Sequence, residues 1–90
     1  MMKITADNNG EMTTFRLEGT LIGEWITELL RCWQQAMASD QRSHIRVDLT
    51  GVTYVSDAGK ELLGMMYRNG AELVAAGVLM KAVVEEITGK

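Results

Sequence analysis

Proline is absent from these 90 residues, and cysteine, histidine and phenylalanine each occur once. A single cysteine, Cys32, excludes an intrachain disulfide, leaves no basis for a cysteine metal site, and suits a reducing compartment. His44 opens a predicted strand and does not stand one helical turn from a second ligand, so neither a metal nor another cofactor is expected. The lack of proline leaves glycine and asparagine to make the turns. Long apolar runs are missing too. The longest, Leu73 to Met80, is interrupted by Gly77 and falls far short of the roughly 20 residues that cross a bilayer. Direct membrane insertion is therefore not expected. Basic runs are also lacking: nine Lys and Arg, scattered along the chain, stand against twelve Asp and Glu, for a net charge of -3. No cluster could neutralise several phosphates together, which argues against a nucleic-acid partner. Met1-Met2-Lys3-Ile4-Thr5-Ala6-Asp7 has no apolar core of a signal peptide, so a cytoplasmic location is expected.

With 47% apolar residues, a chain of this length is expected to form one domain over residues 1–90. Lys3 to Ala6 and Thr13 to Glu18 read as two short strands around Asp7-Asn8-Asn9-Gly10, whose Asn-Gly pair suits a hairpin turn. Phe15 and Leu17 alternate with Thr14 and Arg16, implying one buried face. From Ile22 to Ala38 the apolar residues recur at three- and four-residue steps through Trp25, Ile26, Leu29, Leu30 and Trp33, the mark of an amphipathic helix. The polar stretch Ser39 to Ser43 ends it. A strand follows at His44 to Leu49, then a loop, then a helix from Asp57 to Asn69 with Gly70 placed for a left-handed cap. Ala71 to Ala76 reads as a central parallel strand, apolar after Glu72. Val78 to Thr88 closes as a helix with Leu79, Ala82, Val83 and Ile87 on its buried stripe. Met65, Met80 and Val84 fall at stripe edges, which fits either part-buried core or an adaptable partner patch. The order β-β-α-β-α-β-α predicts an α/β fold, a mixed four-stranded sheet packed with about three helices.

The chemistry-bearing residues are few. Cys32 sits among Leu29, Trp33 and Ala36, where a thiol packs more often than it reacts. Glu85 and Glu86 are adjacent and so diverge on a helix. No phosphate-cradling Gly-Lys-Ser/Thr loop and no Gly-x-Gly-x-x-Gly fingerprint is present. No catalytic residues are assigned, and an enzyme is not expected. What remains is the turn Ser56-Asp57-Ala58-Gly59, where a strand delivers small polar residues to a helix N-terminus. Ser56 or Asp57 would cap the free peptide N–H groups and complement the helix dipole.

Asp48-Leu49-Thr50-Gly51-Val52-Thr53-Tyr54-Val55-Ser56-Asp57-Ala58-Gly59, together with the element order, resembles the STAS domain of sulfate transporters and anti-sigma factor antagonists. The likeness spans nearly the whole chain by topology and Ile45 to Leu63 by motif, where the loop spacing, the glycine and Leu62-Leu63 fall in place. In phosphorylated members a partner kinase, itself an anti-sigma factor, modifies the serine just before that glycine. Here that position is Ala58, with Ser56 at the usual first aspartate and Asp57 between them. The phosphoserine switch is thus missing from its usual place, and Ser56, two residues away, would point a phosphate elsewhere. Asp57 either mimics the modified state or only caps the helix. Glu61 stands where the family often has glycine, and the sequence stops at Thr88-Gly89-Lys90 where many members continue.

The resemblance implies a bacterial protein-binding module in signalling and regulation of transcription, with Ser56, Asp57, Ala58 and Gly59 at the centre of the contact surface and Lys60 and Glu61 at its rim. A serine kinase anti-sigma factor of the GHKL type is the first candidate partner. An accessory subunit bracing the ATPase of a lipid-transport ABC system is the alternative within the family. A binder of nucleotide or a small anion at the helix N-terminus is the alternative of another class, against which the charge of Asp57 argues.

Overall fold

The computed structural model describes residues 2–39 and 44–89. Its elements run β1 (Met2–Asn8), β2 (Met12–Leu21), α1 (Glu24–Ser39), β3 (His44–Val55), α2 (Asp57–Arg68), β4 (Glu72–Val74) and α3 (Val78–Thr88), the expected β-β-α-β-α-β-α. The four strands form one sheet in the order β1-β2-β3-β4. β1 and β2 are antiparallel, while β2–β3 and β3–β4 are parallel. Two successive right-handed crossovers that step the same way across a sheet place their helices on one face. α1 packs on β2, α2 on β3 and β4, and α3 joins α2 and β3 on that side.

The sheet is consequently asymmetric. Phe15, Leu17, Val47 and Leu49 are buried under the helices with Leu29, Trp33, Leu62, Leu63 and Met66. Arg16 and Arg46, one residue out of phase, lie on the other face and pair with Asp48 and Glu72 at 3.5 and 3.3 Å. That polar face remains open.

The hairpin is fixed by asparagine chemistry. Asn8 accepts from the Gly10 N–H at 2.7 Å, Asn9 accepts from the Met12 N–H at 2.8 Å, and Gly10 takes a φ of 91°. At the far end of α2 the expected left-handed glycine is present. Gly70 has a φ of 99°, its N–H donates to Tyr67 O, and the N–H of Ala71 donates to Met66 O. These two bonds make a Schellman motif that turns the chain straight into β4.

Three expectations are corrected. The segment after Leu49, expected as a loop, continues β3 to Val55 and pairs with β2 as far as Leu21. The register slips twice: Arg16 faces Asp48 but Glu18 faces Gly51, and Gly19 faces Val52 but Thr20 faces Tyr54. Each slip adds a residue to β3, so its buried positions fall at Leu49, Val52 and Val55, three apart. Strand alternation is hidden by these bulges. Next, β4 is a three-residue edge strand, not a central one, and Ala71 is buried at the α2 cap before it begins. Finally, α3 is rotated from its expected phase. Met80 is its buried residue, with Val83, Val84 and Ile87 packed beside it, whereas Val78 and Leu79 are 87% and 74% exposed. Met65 and Val84 are part-buried core. The polar stop expected over Ser39 to Ser43 lies, beyond Ser39, outside the described residues.

Candidate partner-binding site

Ser56 leaves β3 with extended geometry (φ -72°, ψ 169°) and is the N-cap of α2. Its N–H donates to Leu21 O at 3.1 Å, tying the turn to the end of β2. Its hydroxyl accepts from the Gly59 N–H at 3.2 Å, and its carbonyl accepts from the Lys60 N–H at 2.9 Å, the first helical bond. Such a cap is worth about 1 kcal/mol. The capping role offered to either Ser56 or Asp57 thus falls to Ser56. Asp57 occupies the first helical position, where a carboxylate still favours the dipole.

The turn is pinned from beneath by Gly59. It is buried, and a Cβ there would lie 2.9 Å from Val55 Cγ1 and 3.1 Å from Leu21 O. Only a residue without a side chain allows this approach of helix to sheet. Of the six residues expected to meet a partner, Asp57, Ala58 and Glu61 are exposed, Ser56 and Lys60 are half-buried, and Gly59 is turned inward. Gly59 therefore sets the position of the surface without forming it.

Lys60 extends across α2 to Glu86 of α3 at 3.2 Å. The two flank a shallow groove of about 470 Å³, which Glu61, Met65 and Ile87 also line. The sequence did not point to this groove, because nothing in the spacing of Lys60 and Glu86 says that α3 returns beside the start of α2. Nor did it point to the exposed pair Val78 and Leu79, since α3 is apolar on most of its circumference and several phases fit.

Asp48, the first residue of the motif, serves the bulge. Its carboxylate accepts from the Thr50 N–H at 2.9 Å, where the ladder with β2 slips. Hydrogen bonds from Thr50, side chain and backbone, hold the Asp48 carboxyl below its ordinary 3.8, with Arg16 adding to the effect. A depressed carboxylate stabilises the fold above its unfolded-state pKa, and that contribution is lost as the pH falls through the folded value. Melting temperatures taken from neutrality down to pH values below 3.8 should therefore decline, and Asp48→Asn should flatten the decline while lowering the plateau at neutral pH. Parallel curves for the two proteins would remove Asp48 from the account.

Cys32 is half-buried on α1, and its thiol is pushed up by burial and then by the neighbouring Glu28 carboxylate. A protonated thiol is a poor nucleophile. Among the described residues, no group of three or more His, Cys, Asp or Glu could hold a metal ion. No described helix is long and apolar enough to cross a membrane.

No family model and no curated protein matches the chain. Solved structures do. The anti-sigma factor antagonist SpoIIAA in its unphosphorylated form superimposes with a TM-score of 0.64 at 14% identity, over 98% of this chain and 100% of that one. An anti-sigma factor antagonist STAS domain from Rhodobacter sphaeroides gives 0.55 at 20% identity, over 84% and 86%. A protein named Mglu gives 0.63 at 13% identity, over 82% of this chain, which spans only 19% of the Mglu chain. The fold is that of the STAS domain, SpoIIAA-like, as the motif and element order implied.

Proposed function

We propose that this chain is a protein-binding module of the anti-sigma factor antagonist kind, without catalysis of its own, that meets its partner through the first turn of α2. One observation supports this most. The position equivalent to the family's phosphorylated serine is Ala58, which is exposed on a turn held firmly by Ser56 and Gly59. The surface is presented as a docking surface would be, but no hydroxyl is there to switch it. Asp57 and Glu61 beside it give a fixed acidic character. Engagement then depends on how much of each protein is present and on competition between partners, in the cytoplasm of a bacterial cell. A GHKL-type serine kinase anti-sigma factor is the partner class that the fold suggests first.

Calorimetric titration against such a kinase encoded near this chain tests the reading. The expected result is binding that ATP neither adds phosphate to nor releases, at least tenfold weakened by Ala58→Arg. Ala58→Ser should become a phosphate acceptor. Binding to the ATPase of an ABC system, with none to the kinase, would move the module to the accessory-subunit reading. Binding that Ala58→Arg leaves untouched would remove the α2 turn from the interface.

A further inference from the structure

β1 ends the sheet, and among the described residues no strand lies along its outer edge. An open edge is a template for another strand, and natural edges carry charge to control what pairs there. The charges on this edge are arranged in an unusual way. On the open face, in-register residues form rows across the strands. One row runs Glu72, Arg46, Thr14, Asp7; the next runs Val74, Asp48, Arg16, Thr5; a third runs Gly51, Glu18, Lys3. Opposite signs meet along the first two rows, in the pairs Arg46–Glu72 and Arg16–Asp48. At β1 the three rows end in an acid, a hydroxyl and a base, with Asp7 and Lys3 each two residues from Thr5. All three are exposed, and neither Asp7 nor Lys3 forms an ion pair among the described residues.

We propose that the β1 edge pairs antiparallel with the β1 edge of a second copy of this chain, on a two-fold axis at Thr5, merging two four-stranded sheets into one. The register then sets Lys3 opposite Asp7 of the second copy, Asp7 opposite its Lys3, and Thr5 opposite Thr5. The two rows that end in a charge, at Asp7 and Lys3, thus continue with the opposite sign, and the middle row continues hydroxyl to hydroxyl, cross-strand pairings that stabilise sheets. Charges of one sign along the edge would repel any copy. An acid and a base equidistant from Thr5 are self-complementary under a two-fold axis, as an isologous interface requires.

The charges also select this register. Centring the axis one residue away, on Ile4 or Ala6, keeps the same faces together but leaves Lys3 opposite Thr5 or Asn9. Shifts that are not whole residues at the centre would bring the open face of one copy against the helix-covered face of the other. The helices do not obstruct the pairing. α1 packs over β2, and the two β2 strands would lie three strand spacings apart, roughly 14 Å. Packed helices need only about 8–10 Å between axes. Ile4, half-buried beside Trp25 at the rim of α1, would be covered further. Glu24 and Glu28 line that same rim, and their repulsion across the cleft is screened over about 8 Å at physiological salt.

Sedimentation velocity over a wide range of concentrations is the first measurement, and a reversible monomer–dimer equilibrium is expected. Lys3→Glu and Asp7→Lys should each weaken the dimer at least tenfold, and the double swap should restore it because the pair is re-formed with signs exchanged. Circular dichroism on each variant separates lost pairing from lost fold. In a Cys32→Ser background, a short thiol-to-thiol crosslinker should join Thr5→Cys molecules into dimers. It should leave Asn8→Cys molecules unjoined, since Asn8 would face Met2 of the second copy. A monomer at every concentration, failure of the double swap to restore the dimer, or equal crosslinking at positions 5 and 8 would each overturn the proposal.

Discussion

Leu63→Ala is expected to lower the unfolding free energy by about 2–5 kcal/mol, the range for truncating a large aliphatic side chain in a packed core. Leu63 has no solvent exposure. It also sits on α2, which touches α1, α3, β3 and β4. A cavity there has walls from several elements, and elements braced on all sides relax little toward a void. A domain of this size has a total stability of roughly 5–14 kcal/mol, so one substitution removes a large share. Urea titration would show the loss as a lower midpoint with an unchanged slope, since the surface exposed on unfolding is nearly the same. Glu61→Ala, two residues away on the exposed side of α2, is the comparison and should stay within about 0.5 kcal/mol of the parent. Equal midpoints for Leu63→Ala and Glu61→Ala would mean that α2 is not packed as described.

The second large effect sets one substitution against itself at two sites of the same helix. Alanine in place of glycine gains about 1 kcal/mol of helix propensity. At Gly64 the added Cβ would meet Arg68 Nη1 at 3.4 Å and Ile87 Cγ2 at 3.6 Å, contacts that side-chain ends can adjust to. Gly64→Ala should therefore be stabilising, by up to about 1 kcal/mol. At Gly59 the same methyl would lie 2.9 Å from Val55 Cγ1 and 3.1 Å from the Leu21 carbonyl oxygen, which is backbone and already accepts from the Ser56 N–H. Overpacking costs about 1–3 kcal/mol, and contact with rigid backbone places Gly59 toward the upper end, so a net loss of up to about 2 kcal/mol is expected there once the propensity gain is subtracted. The strain would be relieved by lifting the first turn of α2 from β2 and β3, carrying Asp57 and Ala58 with it. Partner affinity should fall with Gly59→Ala and hold with Gly64→Ala. Thermal melts of the two variants showing the same sign of change would contradict the close approach at Gly59.

The segments that the sequence made legible are those whose local chemistry agrees with their tertiary setting. Asn8, Asn9 and Gly10 make their turn with their own side chains and backbone, so the hairpin could be read without knowing what surrounds it. In α1 the apolar residues from Trp25 onward match one buried face, and Leu29 and Trp33 lie in the core as the spacing implied, whereas Ile22, expected to open the helix, precedes it and is exposed. Ser56 and Gly70 mark the two ends of α2 by interactions within a few residues. Where local pattern and tertiary setting disagree, the deciding partner lies far along the chain. Residues 50–55 looked like a loop because the bulges opposite β2 replace a two-residue period with a three-residue one. The phase of α3 was ambiguous because apolar residues surround most of the helix, and only packing against α2 and β3 chose Met80 over Leu79.

By itself, then, the sequence determined the order of elements, the turns, and the small polar turn that joins β3 to α2, because these rest on contacts within a few residues. The tertiary structure alone decided that all three helices share one face, that β4 is an edge, and that Gly59 supports the surface from below while Asp57 and Ala58 face outward. Those outcomes depend on crossovers, register slips and a Cβ-free approach between residues far apart in the chain. A period along one segment carries no record of such distances.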